Sequence, residues 1–490
     1  MRLPSYLSLL CLFACHHLPA AARLERRQDV PPVPFPDPSG YSVQPVAIGV
    51  ADTGYSGFPN VLNADIVLDF QLKVAPGASI PMYMSSNRDP KNITRAVISL
   101  PGKLRDNWYY FWALDKALYQ AWGTYPDVDY NSISVMAPVF LNQMDIDAGA
   151  AAGVNGTLFW NGTTWMSGHY NIGPDTFANI SSYDVMDDLV DYYLNKTVFP
   201  NLDQVVIAGH SAGAQLTQRY AALRKSRKDD DRIVYWMANP GSLLWLTEDR
   251  PLPNDSCANV DRWKYGLSSG VPAYGAYALK HLQREGIVER YLSRNIHYAW
   301  GTGDDGPGDT RCQAQTQGMT HYQRGLNFVN MLQNISGGSL PANATVDFVE
   351  GVTHDCEGMT RSPSGLTRLF RNATYQDPAG FWNVGSSTMS WPSRCGVVRG
   401  VARSHGRRSD GCPLLDPSLE ALRDYGGWLT LRWRCCIPKG FPIEFCIPTR
   451  HVPNAALRPH DIDTLHIYLL PYPLPPLSPH PIFITYLSPA

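Results

Sequence analysis

Residues 203–220 read DQVVIAGHSAGAQLTQRY. The β-branched run at 205–207 leads into Gly209-His210-Ser211-Ala212-Gly213, after which Ala214, Leu216, Tyr220 and Leu223 recur at helical spacing. Strand, G-x-S-x-G and helix in that order predict a nucleophile elbow, a tight turn that holds a serine hydroxyl clear of both elements. Small residues must flank Ser211. Gly209 and Gly213 let strand and helix approach each other, and Ala212 presents its backbone N–H beside the serine oxygen. The bare pattern also arises by chance in Ser-Gly turns, but the apolar strand before it and the helix after it favour the elbow.

The surrounding chain has 490 residues, 44% hydrophobic and 17% charged, enough for a sizeable core. The formal net charge is −2 and no basic face stands out before the tail, so nucleic acid is not an expected partner. Residues 1–22 read as a secretory signal peptide: Arg2, an apolar run at 6–15, then Ala20-Ala21-Ala22. That run falls well short of the ~20 residues a membrane-spanning helix needs. Residues 23–45 form a lead-in with a dibasic pair, Arg26-Arg27, and the proline-rich VPPVPFPDPSG. N-x-S/T acceptors at Asn92, Asn155, Asn161, Asn179, Asn195, Asn254, Asn334, Asn343 and Asn372 agree with export and predict a secreted glycoprotein.

Strand patterns at 46–51, 65–74, 95–100, 132–140, 232–238, 295–301 and 344–349 alternate with helical patterns at 107–122, 183–194, 272–294 and 313–333. With the elbow strand, this predicts an α/β domain over 46–386, a mostly parallel central sheet with helices on both faces. Residues 142–182 are glycine-rich, carry three acceptor asparagines and show no clear period. They suit an inserted lid or substrate-binding wall, or equally a glycosylated surface loop. Trp160 and Trp165 within them offer faces for sugar or aromatic-acid groups of a plant polymer.

An acyl-transfer serine needs a base to take its proton and an acid to hold that base in the right tautomer. Strand-end loops after Ser211 supply Asp304 and then His354, in the order Ser, Asp, His. Asp305 and Asp309 share the glycine-rich acid loop and are alternatives to Asp304. His169, His281, His297 and His321 lie in or beside predicted elements and lack the strand-loop setting. Cys312 and Cys356 each follow a proposed triad residue by a few positions, so a disulfide between them is expected, leaving Cys257 unpaired. No histidine or cysteine cluster has metal-ligand spacing and no G-x-G-x-x-G follows a strand, so no metal or cofactor is expected.

With the elbow, the ordered acid and histidine loops, and the segments GDTRCQAQTQG and EGVTHDCEGM, the region from about residue 48 to 381 resembles secreted fungal α/β hydrolases of the serine-esterase type. The resemblance implies hydrolysis of a small-molecule or polymer-borne carboxylic ester. An amidase or peptidase would use the same machinery, and a non-catalytic binding or adhesion protein would keep the fold. In α/β hydrolases the loop at 101–106 often begins His-Gly and supplies one oxyanion N–H. Here it reads Pro101-Gly102-Lys103, which makes Lys103 the candidate donor alongside Ala212. From about residue 387 the chain becomes irregular and rich in cysteine and proline. That tail is expected to be either a small disulfide-held appendage or, the favoured reading, not native coding sequence.

Overall fold

The computed structural model describes residues 39–371 and five strands beyond them. The chain divides into two compact units, Met1–Thr388 and Met389–Ala490. In the first unit the main strands are β1 (Ala64–Gln71), β2 (Ser79–Ser85), β3 (Arg95–Leu100), β4 (Ile133–Pro138), β5 (Gln204–His210), β6 (Ile233–Ala238), β7 (Asn295–Gly301) and β8 (Ala344–Val349). They form one sheet in the order β1-β2-β4-β3-β5-β6-β7-β8. From β4 to β8 every neighbouring pair is parallel. Strand β2 runs antiparallel to both β1 and β4. The principal helices are α1 (Asn107–Thr124), α2 (Ser182–Tyr193), α3 (Ala212–Leu223), α4 (Ala273–Leu292), α5 (His321–Ile335), α6 (Cys356–Arg361) and α7 (Pro363–Phe370).

Side chains alternate across a strand, so one parallel strand feeds two cores. Val205 and Ile207 of β5 pack with residues of α2, α3, α4 and α5. Val206 and Ala208 of the same strand pack with α1, α6 and α7 on the opposite face. A mostly parallel sheet covered on both faces in this strand order is the α/β-hydrolase fold. The predicted strands at 95–100, 295–301 and 344–349 match their observed bounds.

Three elements differ from the expectation. Residues 46–51 do not join the main sheet; Gly49–Val50 pairs only with Gly54–Tyr55 in a small hairpin. Strand β2 has no counterpart in the sequence reading, because it is buried along nearly its whole length and contains Pro81. Both features erase the polar-apolar alternation that marks a strand. The helix expected over 313–333 is two, a short turn at Cys312–Gln315 and α5, separated at Gly318, which has φ +151°.

In the second unit, Glu420–Arg423, Trp428–Trp433, Ile443–Pro448, Thr464–Leu469 and Phe483–Leu487 pair antiparallel in chain order. The signal peptide, the dibasic pair and Asn372 lie outside the described residues.

Candidate active site

Ser211 joins β5 to α3 with φ 58° and ψ −117°, a left-handed conformation that costs a non-glycine residue about 1–3 kcal/mol. Its backbone is held on both sides: the N–H donates to the Ala238 carbonyl (2.9 Å), and its carbonyl accepts from Gln215 N–H (3.2 Å). Two glycines leave room for the turn. A methyl on Gly209 would sit 2.2 Å from the Gly213 carbonyl carbon, and one on Gly213 would sit 2.5 Å from the Leu100 carbonyl oxygen. Ala212 is the first residue of α3, where helix geometry leaves an N–H without an intrahelical acceptor. Because Gly213 also abuts the Pro101 carbonyl, the loop after β3 borders the elbow. Lys103 is exposed in that loop, in a turn closed by the Arg105 N–H on the Gly102 carbonyl (3.1 Å).

Asp304 follows β7 and His354 follows β8, and the fold brings them together, with His354 Nδ1 2.7 Å from Asp304 Oδ2. A carboxylate only accepts, so Nδ1 carries the proton and Nε2 is left as the basic nitrogen. The three aspartates of the loop have different surroundings. Asp304 is 1% exposed. Asp305 faces solvent. Asp309 is occupied elsewhere, accepting from Arg311 Nε and Nη2 (both 2.7 Å) and from the Tyr265 hydroxyl (2.7 Å).

His321 is a residue that the sequence reading set aside. Its Nδ1 lies 3.0 Å from Asp304 Oδ1, off the line of a well-formed hydrogen bond, and its ring stacks on His354 (4.2 Å, 24°). The His210 ring is 4.6 Å from that of His354. Expected inside a continuous helix, His321 instead opens α5 after the break at Gly318, with Thr320 as its N-cap. The Thr320-His321 pair after a glycine was the available signal. Burial works against the Asp304 carboxylate, but the two imidazoles outweigh it and hold the carboxyl well below its usual range. Burial, then the charge of His354, pushes His210 well below the ordinary histidine value. Burial also lowers His321, against the opposing pull of Asp304. Both rings are therefore neutral near pH 7.

Asp304, His321 and His354 place ligand atoms within 4.8 Å of one another, the one group among the described residues with metal-binding spacing. Sequence spacing hid it, because its members lie far apart in the chain, on the loops after β7 and β8 and at the first residue of α5. A cation there would have to displace the proton that His354 Nδ1 shares with Asp304.

The insertion at 142–182 is anchored to the site's rim. Asp145 receives a two-pronged ion pair from Arg105 (2.7 and 3.0 Å). Trp160 and Trp165 are fully buried against Phe140, so the expectation that they stack on a substrate is corrected: both faces serve the core. The expected Cys312–Cys356 disulfide is also corrected. Cys312 bonds Cys257, while Cys356 is a buried free thiol. The chain after Asp304 returns along Gly241, where the Asp309 N–H donates to the carbonyl (3.1 Å), and then meets the segment around Ala258. Cys356 opens α6 and packs in the core shared with α1, on the other face of the sheet.

Asn92, Asn155, Asn161, Asn179, Asn195, Asn254, Asn334 and Asn343 are all exposed. No described helix is long and apolar enough to cross a membrane. No protein-family model and no curated protein matches the chain. Among solved structures it is similar to a poly(aspartic acid) hydrolase from Sphingomonas sp. KT-1, with 16% identity and TM-score 0.41 over 63% of this chain and 99% of that one. It is similar also to a poly(3-hydroxybutyrate) depolymerase from Bordetella parapertussis, with 18% identity and TM-score 0.39 over 63% and 93%. A third is a siderophore hydrolase from Aspergillus nidulans, with 11% identity and TM-score 0.34 over 64% and 95%.

Proposed function

We propose that the chain is a secreted serine hydrolase of carboxylic esters, with Ser211 as nucleophile, His354 as base and then acid, and Asp304 as the orienting carboxylate. The observation that carries this reading is the hydrogen bond from His354 to the buried Asp304 at the strand ends, with the His354 ring 4.6 Å from that of His210, the residue before the strained Ser211 turn. His354 Nε2 takes the Ser211 hydroxyl proton as Oγ attacks the ester carbonyl, giving a tetrahedral oxyanion. The Ala212 N–H and the Lys103 N–H are the donors assigned to that oxygen. Collapse expels the alcohol, which takes the proton from His354. Water then hydrolyses the acyl-enzyme with the same base, releasing the acid and free Ser211. Asp304 keeps the histidine in the tautomer both steps need. Secretion rests on the signal-like N-terminus, the exposed acceptor asparagines and the disulfide.

The test is a fluorophosphonate probe together with p-nitrophenyl esters and matched anilides on wild type and Ser211→Ala. The wild type is expected to label and to turn over esters faster than anilides. The variant should lose labelling and at least about 10³-fold in kcat. A folded wild type that neither labels nor cleaves any ester or anilide would transfer the reading to a binding protein on this fold.

A further inference from the structure

One flank of the elbow carries a group of charges that the hydrolytic step does not use. On α3, Gln215 stands one turn beyond Ser211 and Arg219 one turn further. Arg219 is fully buried and donates to Gln215 Oε1 (2.9 Å) and Ser242 Oγ (3.2 Å). Its remaining contacts are the Lys264 and Met166 carbonyls (3.3 and 3.5 Å). Among the described residues no carboxylate pairs with it. The Lys264 ammonium has Asp309 Oδ2 at 3.8 Å, Met166 Sδ at 4.0 Å and the Tyr265 ring centroid at 5.6 Å near it, none of them a short hydrogen bond. Asp309 is already held by Arg311 and Tyr265. Three cations thus share one carboxylate, and buried charge is ordinarily paired.

Solvent reaches the group at Arg311 and, to a lesser extent, at Lys264. Arg311 is 60% exposed and Lys264 13%, while Arg219 forms the floor. His169 of the insertion is exposed at the rim, and its ring is depressed by burial and then by Lys264 and Arg219. The group also shares a wall with the candidate triad. A methyl on Gly241 would sit 3.1 Å from Gln215 Nε2 and 3.7 Å from His321 Nε2, and the next residue, Ser242, donates to Gln215 Oε1 (2.8 Å) with Asp309 Oδ2 3.3 Å away. Along α3 the Gln215 level is about 6 Å and the Arg219 level about 12 Å from Ser211, and the Arg219 guanidinium reaches back to Gln215 Oε1, which puts the group one to two helical turns from the serine.

We infer that Lys264, Arg219 and Arg311 form an anion subsite that selects esters bearing a free carboxylate about one to two helical turns from the scissile carbonyl. This names a substrate class for the proposed hydrolase and rests on that reading. The carboxylate would complete the coordination of Lys264 and reduce the excess of positive charge around Asp309. Burial, then Arg219 and Arg311, pushes the Lys264 ammonium down to about 7, with Asp309 opposing. Arg219, Arg311 and Asp309 keep their charges through neutral pH, and Tyr265 is pushed up and stays protonated. Preference for the anionic ester should therefore be largest below pH 7 and fall as Lys264 loses its proton above it.

The experiment uses the full secreted chain and compares kcat/KM for the p-nitrophenyl half-esters of adipate and suberate with their methyl-capped neutral diesters. Wild type should favour the anionic form. Lys264→Met should lower the anionic-to-neutral ratio about ten- to hundredfold, the range for one charge-assisted hydrogen bond, and Lys264→Arg should keep most of it. An unchanged ratio in a folded Lys264→Met, or a wild type that favours the neutral diester, overturns the proposal. A binding arm separates it from the catalytic reading: adipate titrated calorimetrically into Ser211→Ala with and without Lys264→Met. Binding that needs Lys264, together with a folded wild type that cleaves neither ester, keeps the subsite and removes the hydrolase. Turnover of neutral diesters without adipate binding removes the subsite and keeps the hydrolase.

Discussion

Asp304 has two oxygens and a histidine at each, His354 on one and His321 on the other. His354 has 36% of its side chain exposed, whereas His321 is 6% exposed. The pair explains how a buried carboxylate stays ionised, since each imidazole N–H offsets desolvation that would otherwise protonate it. Asp304→Asn keeps the shape but makes the group at His354 Nδ1 ambiguous between donor and acceptor. Ester turnover is expected to fall about 10³- to 10⁴-fold, while Asp305→Asn, at an exposed side chain, should stay within about twofold. Steady-state kcat for the two variants checks this, and a large loss in Asp305→Asn alone would move the acid to that residue.

At the level of elements, the loop after β3 and the insertion are joined by one ion pair. Arg105 and Asp145 are almost fully buried, and Asp145 also caps its own short helix through Asn142. Arg105 further donates to the Ala51 carbonyl (2.9 Å), so three segments meet at one guanidinium. Removing one partner leaves an uncompensated buried charge. Arg105→Ala is therefore expected to cost about 3–5 kcal/mol in chemical denaturation, and Arg105→Met with Asp145→Met should recover most of it. A cost below about 1 kcal/mol for the single variant would mean that water already reaches Asp145. Strand β2 and the break before α5 are also element-scale features, and both escaped the sequence pattern. A strand buried on both faces has no alternation to read. A helix interrupted at one glycine keeps much of its apolar spacing on either side of the break.

For the whole molecule, burial of neutral histidines sets the response to acid. His297, inside β7, is pushed down to about 3 by burial and then by Arg368 and Arg95, and His210 is also well depressed. The unfolded chain protonates such groups below about 6.5 while the folded protein does not, so their contribution is full above that pH and lost as pH falls. Each adds a slope of about 1.4 kcal/mol per pH unit between about pH 6 and 4. Denaturant melts of wild type should show that decline, and His297→Gln should be shallower by about one such increment. Equal slopes would show that His297 is protonated in the folded state.

The sequence alone specified most of the strands and helices, though not β2 or the break before α5, together with the elbow at Ser211 and the acid and histidine loops. These are local signals: glycine spacing, β-branched runs and residues at strand ends act within a few positions of themselves. It did not specify which aspartate of three meets His354, that His321 shares it, or that Cys257 rather than Cys356 bonds Cys312. Each depends on where a loop goes after it leaves a strand. That path is set by contacts far apart in the chain, such as Gly241 with Asp309 and Arg324 with four carbonyls including that of Gly241. The same distance in sequence separates Arg219, Lys264 and Arg311. Packing in the folded chain gathers their charges beside one carboxylate, and no pattern of neighbouring residues announces it.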